Sequence, residues 1–349
     1  MMSKKQNIFE YDVLRVIVTI LVLISHCMYY RINTSYGGID YSAFVYSKPI
    51  VFRLLEQIKE IIYCFHMPLF MALSGALFQF TMRKKQRLSN IIISKSKRLL
   101  LPFVIVTIFY DIPLKYLSGY WKLSKNMIRD AIYGQLLIQG NTYLWFLPTL
   151  FCIFIVVYLI SKTKIMPIIC VVIFTVLNIL SYRIRILLIQ NICIYLLWFY
   201  LGFLFEIKRL NFNKKITKVN TVVCCGIFII VFYFAKKINS LLLVQSLIDI
   251  LLTVIASIST YMVAFMISKT EIRKLRIFEI IKKHSFGLYL YSDPWNYIIL
   301  LLMNMLLGNM IFNTNVGVGI LFLSRFGITT LIALVVSKLF SMLNLKYFV

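Results

Sequence analysis

Tyr11-Asp12-Val13-Leu14-Arg15-Val16-Ile17-Val18-Thr19-Ile20-Leu21-Val22-Leu23-Ile24-Ser25-His26-Cys27 reads as a membrane helix with a polar stripe. Val16 to Ile24 is apolar apart from Thr19, and the run continues to Tyr30. Arg15 and His26 are eleven residues apart, so at 100° per residue they lie roughly 20° past three full turns and share one face. Asp12, Thr19 and Tyr30 fall on or near that face. The rise from Arg15 to His26 is roughly 16 Å, about half the hydrocarbon core. A cation near one membrane face and an imidazole well inside are costly in lipid, and such groups usually face a cavity. Two plainer readings stay open: an Arg15 that snorkels and pairs with Asp12, and a His26 that is packed and hydrogen-bonded.

The rest of the chain has the same character. Of 349 residues, 61% are hydrophobic and only 14% charged, and the mean hydropathy is +0.86. A soluble domain cannot hide that much apolar surface, so the class is a polytopic membrane protein, all-α. Apolar runs give ten candidate spans, at 13–30, 61–82, 99–117, 143–161, 165–181, 186–206, 219–235, 243–267, 285–307 and 316–345. Arg325 lies within the last, a second place where charge enters the bilayer.

The net charge of +26 invites a nucleic-acid reading, but topology explains it more simply. Lys and Arg concentrate in alternate segments: Lys4 and Lys5, then Arg83 through Arg98 (including Lys85), Lys208 to Lys218, and Lys269 to Lys283. The intervening segments, with Lys115, Arg129 and Lys236 among them, carry fewer. That bias predicts both termini in the cytoplasm and an even number of spans. Lys4 and Lys5 before an apolar run mimic a secretory signal. Asp12 and Arg15 interrupt that run and no small-residue cleavage site follows, so the segment is expected to stay as a span. The seven cysteines lie in apolar runs without metal or disulfide spacing, and read as reduced packing residues. No repeat or linker divides the chain, which is expected to form one membrane domain over 1–349.

Several segments bear chemistry. The stretch 31–60 reads as a wet outer loop. The second span carries Phe65-His66-Met67-Pro68-Leu69-Phe70 and then Ser74-Gly75; its proline frees a carbonyl, and Ser74 with Gly75 allows close helix approach. His66 falls near the outer end of that span. In Lys95-Ser96-Lys97-Arg98-Leu99-Leu100-Leu101-Pro102, Lys95 and Arg98 are three apart and point the same way toward the membrane surface, where paired cations suit phosphates of a cofactor or of lipid headgroups. Thr142-Tyr143-Leu144-Trp145-Phe146-Leu147-Pro148 sits at an expected interface, where an aromatic belt is the plain reading of Tyr143 and Trp145. His284-Ser285-Phe286-Gly287-Leu288-Tyr289-Leu290-Tyr291-Ser292-Asp293-Pro294 opens the ninth span. Asp293 beside a helix-breaking proline, with Tyr289 and Ser292 nearby, reads as a broken span lining a substrate site, and His284 as facing water. Asp111 and Asp249 are further acids at or inside spans, with no specific role. GxSxG and P-loop motifs are absent, and the intramembrane acids and histidines do not cluster as metal ligands. Proton transfer by His26 with an anionic cosubstrate held by the cations fits this inventory. So does a proton-coupled transporter or flippase for a lipid-linked or small anionic solute, with a polysaccharide polymerase as a third reading.

Taken together, these pieces resemble acyltransferase family 3, polytopic membrane proteins that O-acylate sugars. The resemblance rests on Arg15, ten intervening residues and His26, with Asp12 ahead. It rests also on Phe65–Gly75, Lys95–Pro102, Trp145-Phe146-Leu147-Pro148 and Ser285–Pro294, in the family's order over nearly the whole chain. The second-span form looks most like the sugar O-acetylase branch. The resemblance implies acetyl-CoA or another acyl-CoA as donor, no metal, and a carbohydrate or lipid-linked sugar acceptor. It implies an enzyme of the plasma or inner membrane, among membrane lipids and cell-envelope biosynthesis proteins, with no nucleic-acid partner. By position, His26 looks like the essential histidine, acting as base or acyl relay. Arg15 looks like the donor-binding arginine oriented by Asp12, with Lys95 and Arg98 at the CoA phosphates. Tyr30, His66, Trp145, Tyr289, Ser292 and Asp293 are expected around the acceptor. Relatives often have histidine in the late Tyr-Leu-x-His segment, where this chain has Ser292 then Asp293. They often have arginine where it has Lys95, which gives up bidentate phosphate binding. The chain is expected to lack the esterase-like carboxy-terminal domain that some relatives carry.

Overall fold

The computed structural model describes residues 8–84, 86–122, 124–140, 143–238 and 241–349; Lys4, Lys5, Lys85 and Thr142, used above, lie outside them. It is 80% helical, which makes it an all-α bundle. The first helix, α1 (Phe9–His26), is buried on most of its circumference. It packs chiefly against three later helices, α3 (His66–Arg83), α12 (Leu242–Ser268) and α13 (Arg276–Leu307), so most of its circumference must be apolar outside the polar stripe. The Thr19 hydroxyl donates to the Arg15 carbonyl at 2.9 Å and is satisfied within the helix.

The segment expected as a wet loop is instead ordered structure. Strands β1 (Arg31–Thr34) and β2 (Gly37–Asp40) pair antiparallel, with Arg31 opposite Asp40 and Thr34 opposite Gly37. Gly37 has φ +129°, and a Cβ there would stand 2.6 Å from the Tyr120 ring, so only glycine fits the turn. An amphipathic helix, α2 (Ile50–Tyr63), follows, and the chain breaks at Cys64-Phe65 before α3. Pro68 sits in the first turn of α3. The carbonyl it leaves without a donor, that of Cys64, accepts the Thr253 hydroxyl of α12 at 2.8 Å. As expected, Gly75 allows close approach: α3 crosses α10 (Leu187–Asn213) where Gly75 and Gly202 bring the two backbones together.

After the basic loop, α4 (Leu88–Lys95), α5 (Leu101–Val106) and α6 (Ile112–Leu117) follow one another through π-helical turns at 96–100 and 107–111. Pro102 and Pro113 lie just beyond those turns. A proline clashes with the carbonyl four residues back, and the widened turn relieves the clash without ending the rod. The short α7 (Met127–Ala131) leads to α8 (Phe146–Ile160) and α9 (Pro167–Leu180), and α11 (Lys218–Ala235) lies between α10 and α12. The chain ends with the short α14 (Met310–Asn313) and the long α15 (Asn315–Met342), which packs along α13.

Among the described residues, five helical segments are long and apolar enough to cross a membrane: Ile50–Arg83, Leu187–Asn213, Lys218–Ala235, Leu242–Ser268 and Asn315–Met342. The architecture is that of a multi-pass membrane protein. The other expected spans are short, as in α8 and α9, interrupted by π turns, or polar because their charges face other helices, as in α1 and α13.

The ninth span differs from its expectation. Helix α13 runs without interruption through Pro294. The carbonyls that the proline would strand have donors from elsewhere: the Tyr143 hydroxyl reaches Leu290 O at 3.1 Å and the Tyr110 hydroxyl reaches Tyr291 O at 3.0 Å. His284 does not face water. It is buried, with Nδ1 2.9 Å from the Ser337 hydroxyl of α15. Lys115, counted as a loop charge, is fully buried, donating to Asp111 at 3.0 Å and Gln135 at 2.7 Å. Arg209 likewise turns inward, onto Glu206 at 2.8 Å and onto Glu10.

Candidate active site

Two chambers lie against α1. The larger, of about 680 Å³, opens at the lysine- and arginine-rich end of the bundle. Arg15 of α1, Arg83 and Lys84 at the end of α3, Lys95 of α4, Arg98 in the first π turn, and Lys282 and Lys283 of α13 supply its cations. Against these seven, Asp12 supplies the one carboxylate side chain among the described lining residues. Asp12 Oδ1 stands 3.6 Å from Arg15 Nη1, and the Arg15 side chain stays 31% exposed, free to meet a ligand. Lys95 Nζ sits 3.8 Å from the centroid of the Phe154 ring, so an aromatic face holds the ammonium at the wall. Phe70, Leu73, Phe146 and Leu150 make the deeper wall apolar. The cavity is therefore cationic at its mouth and greasy at its floor.

The smaller chamber, of about 130 Å³, lies farther along α1 and is lined by His26, Tyr29, Tyr63, His66, Tyr143, Trp145 and Tyr289, with Val22 and Met67. Tyr289 lines both chambers and forms part of the wall between them. Its hydroxyl donates to the Tyr143 carbonyl at 2.5 Å, while the Tyr143 hydroxyl donates to Leu290 O. This reciprocal pair ties the segment before α8 to α13. Trp145 stacks on Tyr195 at 5.0 Å between centroids, and His66 Nδ1 lies 2.9 Å from its own Ile62 carbonyl. The Tyr29 and Tyr63 hydroxyls are in hydrogen-bond contact.

The His26 imidazole has a carboxylate behind it. His26 Nδ1 lies 2.9 Å from Asp293 Oδ1, and Asp293 Oδ2 accepts the Tyr297 hydroxyl at 2.7 Å. The contact is at ion-pair distance without hydrogen-bond alignment; a turn of the ring that aligns Nδ1–H on the carboxylate presents Nε2 as the basic nitrogen. The arrangement can take a proton from a hydroxyl held in the chamber and share the resulting charge with Asp293.

Of the sequence-predicted residues, Asp12, Arg15, Lys95 and Arg98 come together in the cationic cavity, and His26, His66 and Trp145 in the small chamber. Tyr289 joins the two. Asp293 backs His26, whereas Ser292 is buried beside it and lines neither chamber. Tyr30 also lines neither; it stacks on Phe52 at 5.2 Å and meets Phe312 edge-on at 5.8 Å, in a separate aromatic cluster with the hairpin. Tyr29 and Tyr63 were not singled out from sequence. Tyr29 follows His26 by three residues, a spacing that signals a shared side of the chain; Tyr63 has no such signal.

A family model described as an acyltransferase domain matches residues 8–342, nearly the whole chain. The chain belongs to acyltransferase family 3. No curated protein and no solved structure matches it. In this family-3 acyltransferase the matched region holds both chambers, from Ile8 to Tyr289, apart from the edge contributed by Val349, and Asp293 behind His26 as well.

Proposed function

We propose that this acyltransferase moves an acyl group, acetyl in the simplest case, from acyl-CoA to a hydroxyl of a carbohydrate or lipid-linked sugar. The observation that carries the reading is the His26–Asp293 pair at 2.9 Å, in a chamber that shares a wall with a strongly cationic cavity. Arg15, Lys95, Arg98 and their neighbours match the phosphates and nucleotide end of a CoA thioester. The apolar floor toward Tyr289 suits the pantetheine arm and the acyl carbon.

His26 then acts as general base on the acceptor hydroxyl, with its Nδ1–H held by Asp293. The acceptor oxygen attacks the thioester carbon, the carbon–sulfur bond breaks, and the proton taken by His26 passes to the departing thiolate. Chamber size supports a small acyl group. At about 130 Å³ with aromatic walls, it suits an acetyl group and one reacting hydroxyl rather than a fatty chain. With the basic end in the cytosol, the donor enters from the cytosolic side and the acceptor is met deeper in the membrane. The enzyme belongs in this reading to the cell or inner membrane, and its products to surface glycans.

The test is transfer of label from acetyl-CoA to glycolipid or polysaccharide, in membranes carrying wild type or His26→Ala at matched levels. Wild-type-dependent label that disappears with His26→Ala is the expected outcome. Label that survives the substitution would move the chemistry away from His26. No label across a panel of acyl-CoAs and sugars would leave transport of an anionic solute as the better reading.

A further inference from the structure

The last long helix holds a charge that the reading above does not use. Arg325 of α15 is fully buried, one of the largest side chains with no solvent contact. Its guanidinium reaches the end of α1, where Nη1 donates to the Tyr29 carbonyl at 2.7 Å and Nη2 to the His26 carbonyl at 3.2 Å. Nε has no acceptor among the described residues. Helix α1 ends at His26, so its last carbonyls lack partners within the helix and carry the negative end of its dipole.

A serine, a threonine or a water could satisfy such carbonyls at far lower cost than a cation buried at membrane depth. What a guanidinium adds is geometry. Its planar fork grips two acceptors at once and fixes the angle between them. The two carbonyls it grips belong to His26 and Tyr29, both lining the small chamber. Between them the chain leaves the helix: Cys27 bonds back to Leu23 and Ile24 and Met28 to Ser25, all within the last turn of α1, whereas the guanidinium ties that turn to another helix.

We propose that Arg325 is a positioning residue: by clamping the His26 and Tyr29 carbonyls it sets the end of α1, and so aims the His26 imidazole at Asp293 and at the acceptor. This inference rests on the acyltransferase reading for its kinetic consequence. Arg325 lines neither chamber, and its substitution should leave the donor cavity as it is.

The experiment compares wild type with Arg325→Met and Arg325→Lys, each normalised to folded, monodisperse protein. One readout is the steady-state split for acetyl transfer. Misaiming a base by about an ångström costs up to about 100-fold in rate, so kcat should fall by that order in Arg325→Met while KM for acetyl-CoA holds. In Arg325→Lys, a single ammonium can follow only one carbonyl well, and an intermediate kcat is expected. The second readout needs no turnover: labelling of the histidines by diethyl pyrocarbonate, resolved by peptide mass spectrometry. His26 should react several times faster once its end of α1 is loosened, while His284, on α13 and bonded to Ser337, keeps its wild-type rate.

If His26 and His284 accelerate together, Arg325 serves general stability and the proposal is overturned. It is equally overturned if kcat and the His26 rate both stay at wild-type values in folded Arg325→Met. Should Arg325→Met yield no folded protein, Arg325→Lys is read by the same criteria. If wild type transfers no acyl group from any donor, the functional reading fails, and the labelling ratio alone still decides the role of Arg325.

Discussion

Replacing Gly75 by alanine tests the α3–α10 crossing on which the chamber walls depend. A Cβ built on Gly75 lies 1.9 Å from the Phe199 carbonyl oxygen, and one on Gly202 lies 1.9 Å from that of Ala72. Both obstacles are backbone atoms inside helices and cannot swing aside. Reaching an ordinary 3.4 Å contact requires the helices to part by about 1.5 Å. Gaps of that size forfeit much of the dispersion energy along a crossing, and overpacking costs about 1–3 kcal/mol. Alanine returns about 1 kcal/mol of helix propensity, so a net loss of up to about 2 kcal/mol is expected. Gly319 of α15 and Gly226 of α11 serve as controls, because nothing lies within 4 Å of a Cβ at either. There alanine should gain stability. Thermal unfolding of detergent-solubilised protein at one scan rate, followed by tryptophan fluorescence, reads the difference. Gly75→Ala should lower the midpoint by a few degrees and Gly319→Ala should raise it slightly. Because one separation accommodates both methyl groups, Gly75→Ala with Gly202→Ala should cost less than the sum of the two. Midpoints for Gly75→Ala and Gly319→Ala that move together would refute the close crossing.

Asp293→Asn keeps the shape but turns the partner of His26 into a neutral amide, and transfer should fall at least tenfold with donor affinity intact; equal loss of donor binding would mean that Asp293 acts on the whole fold. Charge removal at the mouth has the opposite signature. Lys95→Gln or Arg98→Gln should raise KM for acyl-CoA about tenfold, equivalent to about 1.4 kcal/mol, with kcat nearly unchanged, and wild-type KM should rise with salt. Lys115→Met strands Asp111 without its cation at full burial, and should destabilise by about 3–5 kcal/mol. Adding Asp111→Asn should recover part of that loss, and a double variant no better than the single one would argue that Gln135 and the packing, not the pair, set the stability.

The polar stripe of α1 was legible because the 3.6-residue period alone places Arg15 and His26 on one face, and a hydrophobic helix with such a stripe has few other uses. Gly75 was legible for a similar reason, since a small residue in a long apolar span signals close approach. What could not be read were partners distant in sequence. Lys115 looks like a loop charge until Asp111 and Gln135 are seen around it. Pro294 looks like a helix break because the hydroxyls that rescue Leu290 O and Tyr291 O come from Tyr143 and Tyr110. His284 looked solvated for want of any local sign of Ser337. The Asp293 contact with His26 spans most of the chain, so the sequence alone places Asp293 around the acceptor as a source of charge and hydrogen bonding without naming His26 as its partner.

The central place of α1 also has a consequence in time. Helix α1 is made well before the groups that complete its polar stripe. His26 waits for Asp293 and then for Arg325, which lies 299 residues later. At about 5–20 residues per second of synthesis, that interval is about 15–60 s. Throughout it, a helix bearing Asp12, Arg15 and His26 must stay in or beside the membrane without the carboxylate and guanidinium that later enclose it. Helices α13 and α15 therefore finish the assembly around α1 as well as the small chamber, and a chain interrupted before Asp293 leaves His26 without its carboxylate and guanidinium contacts.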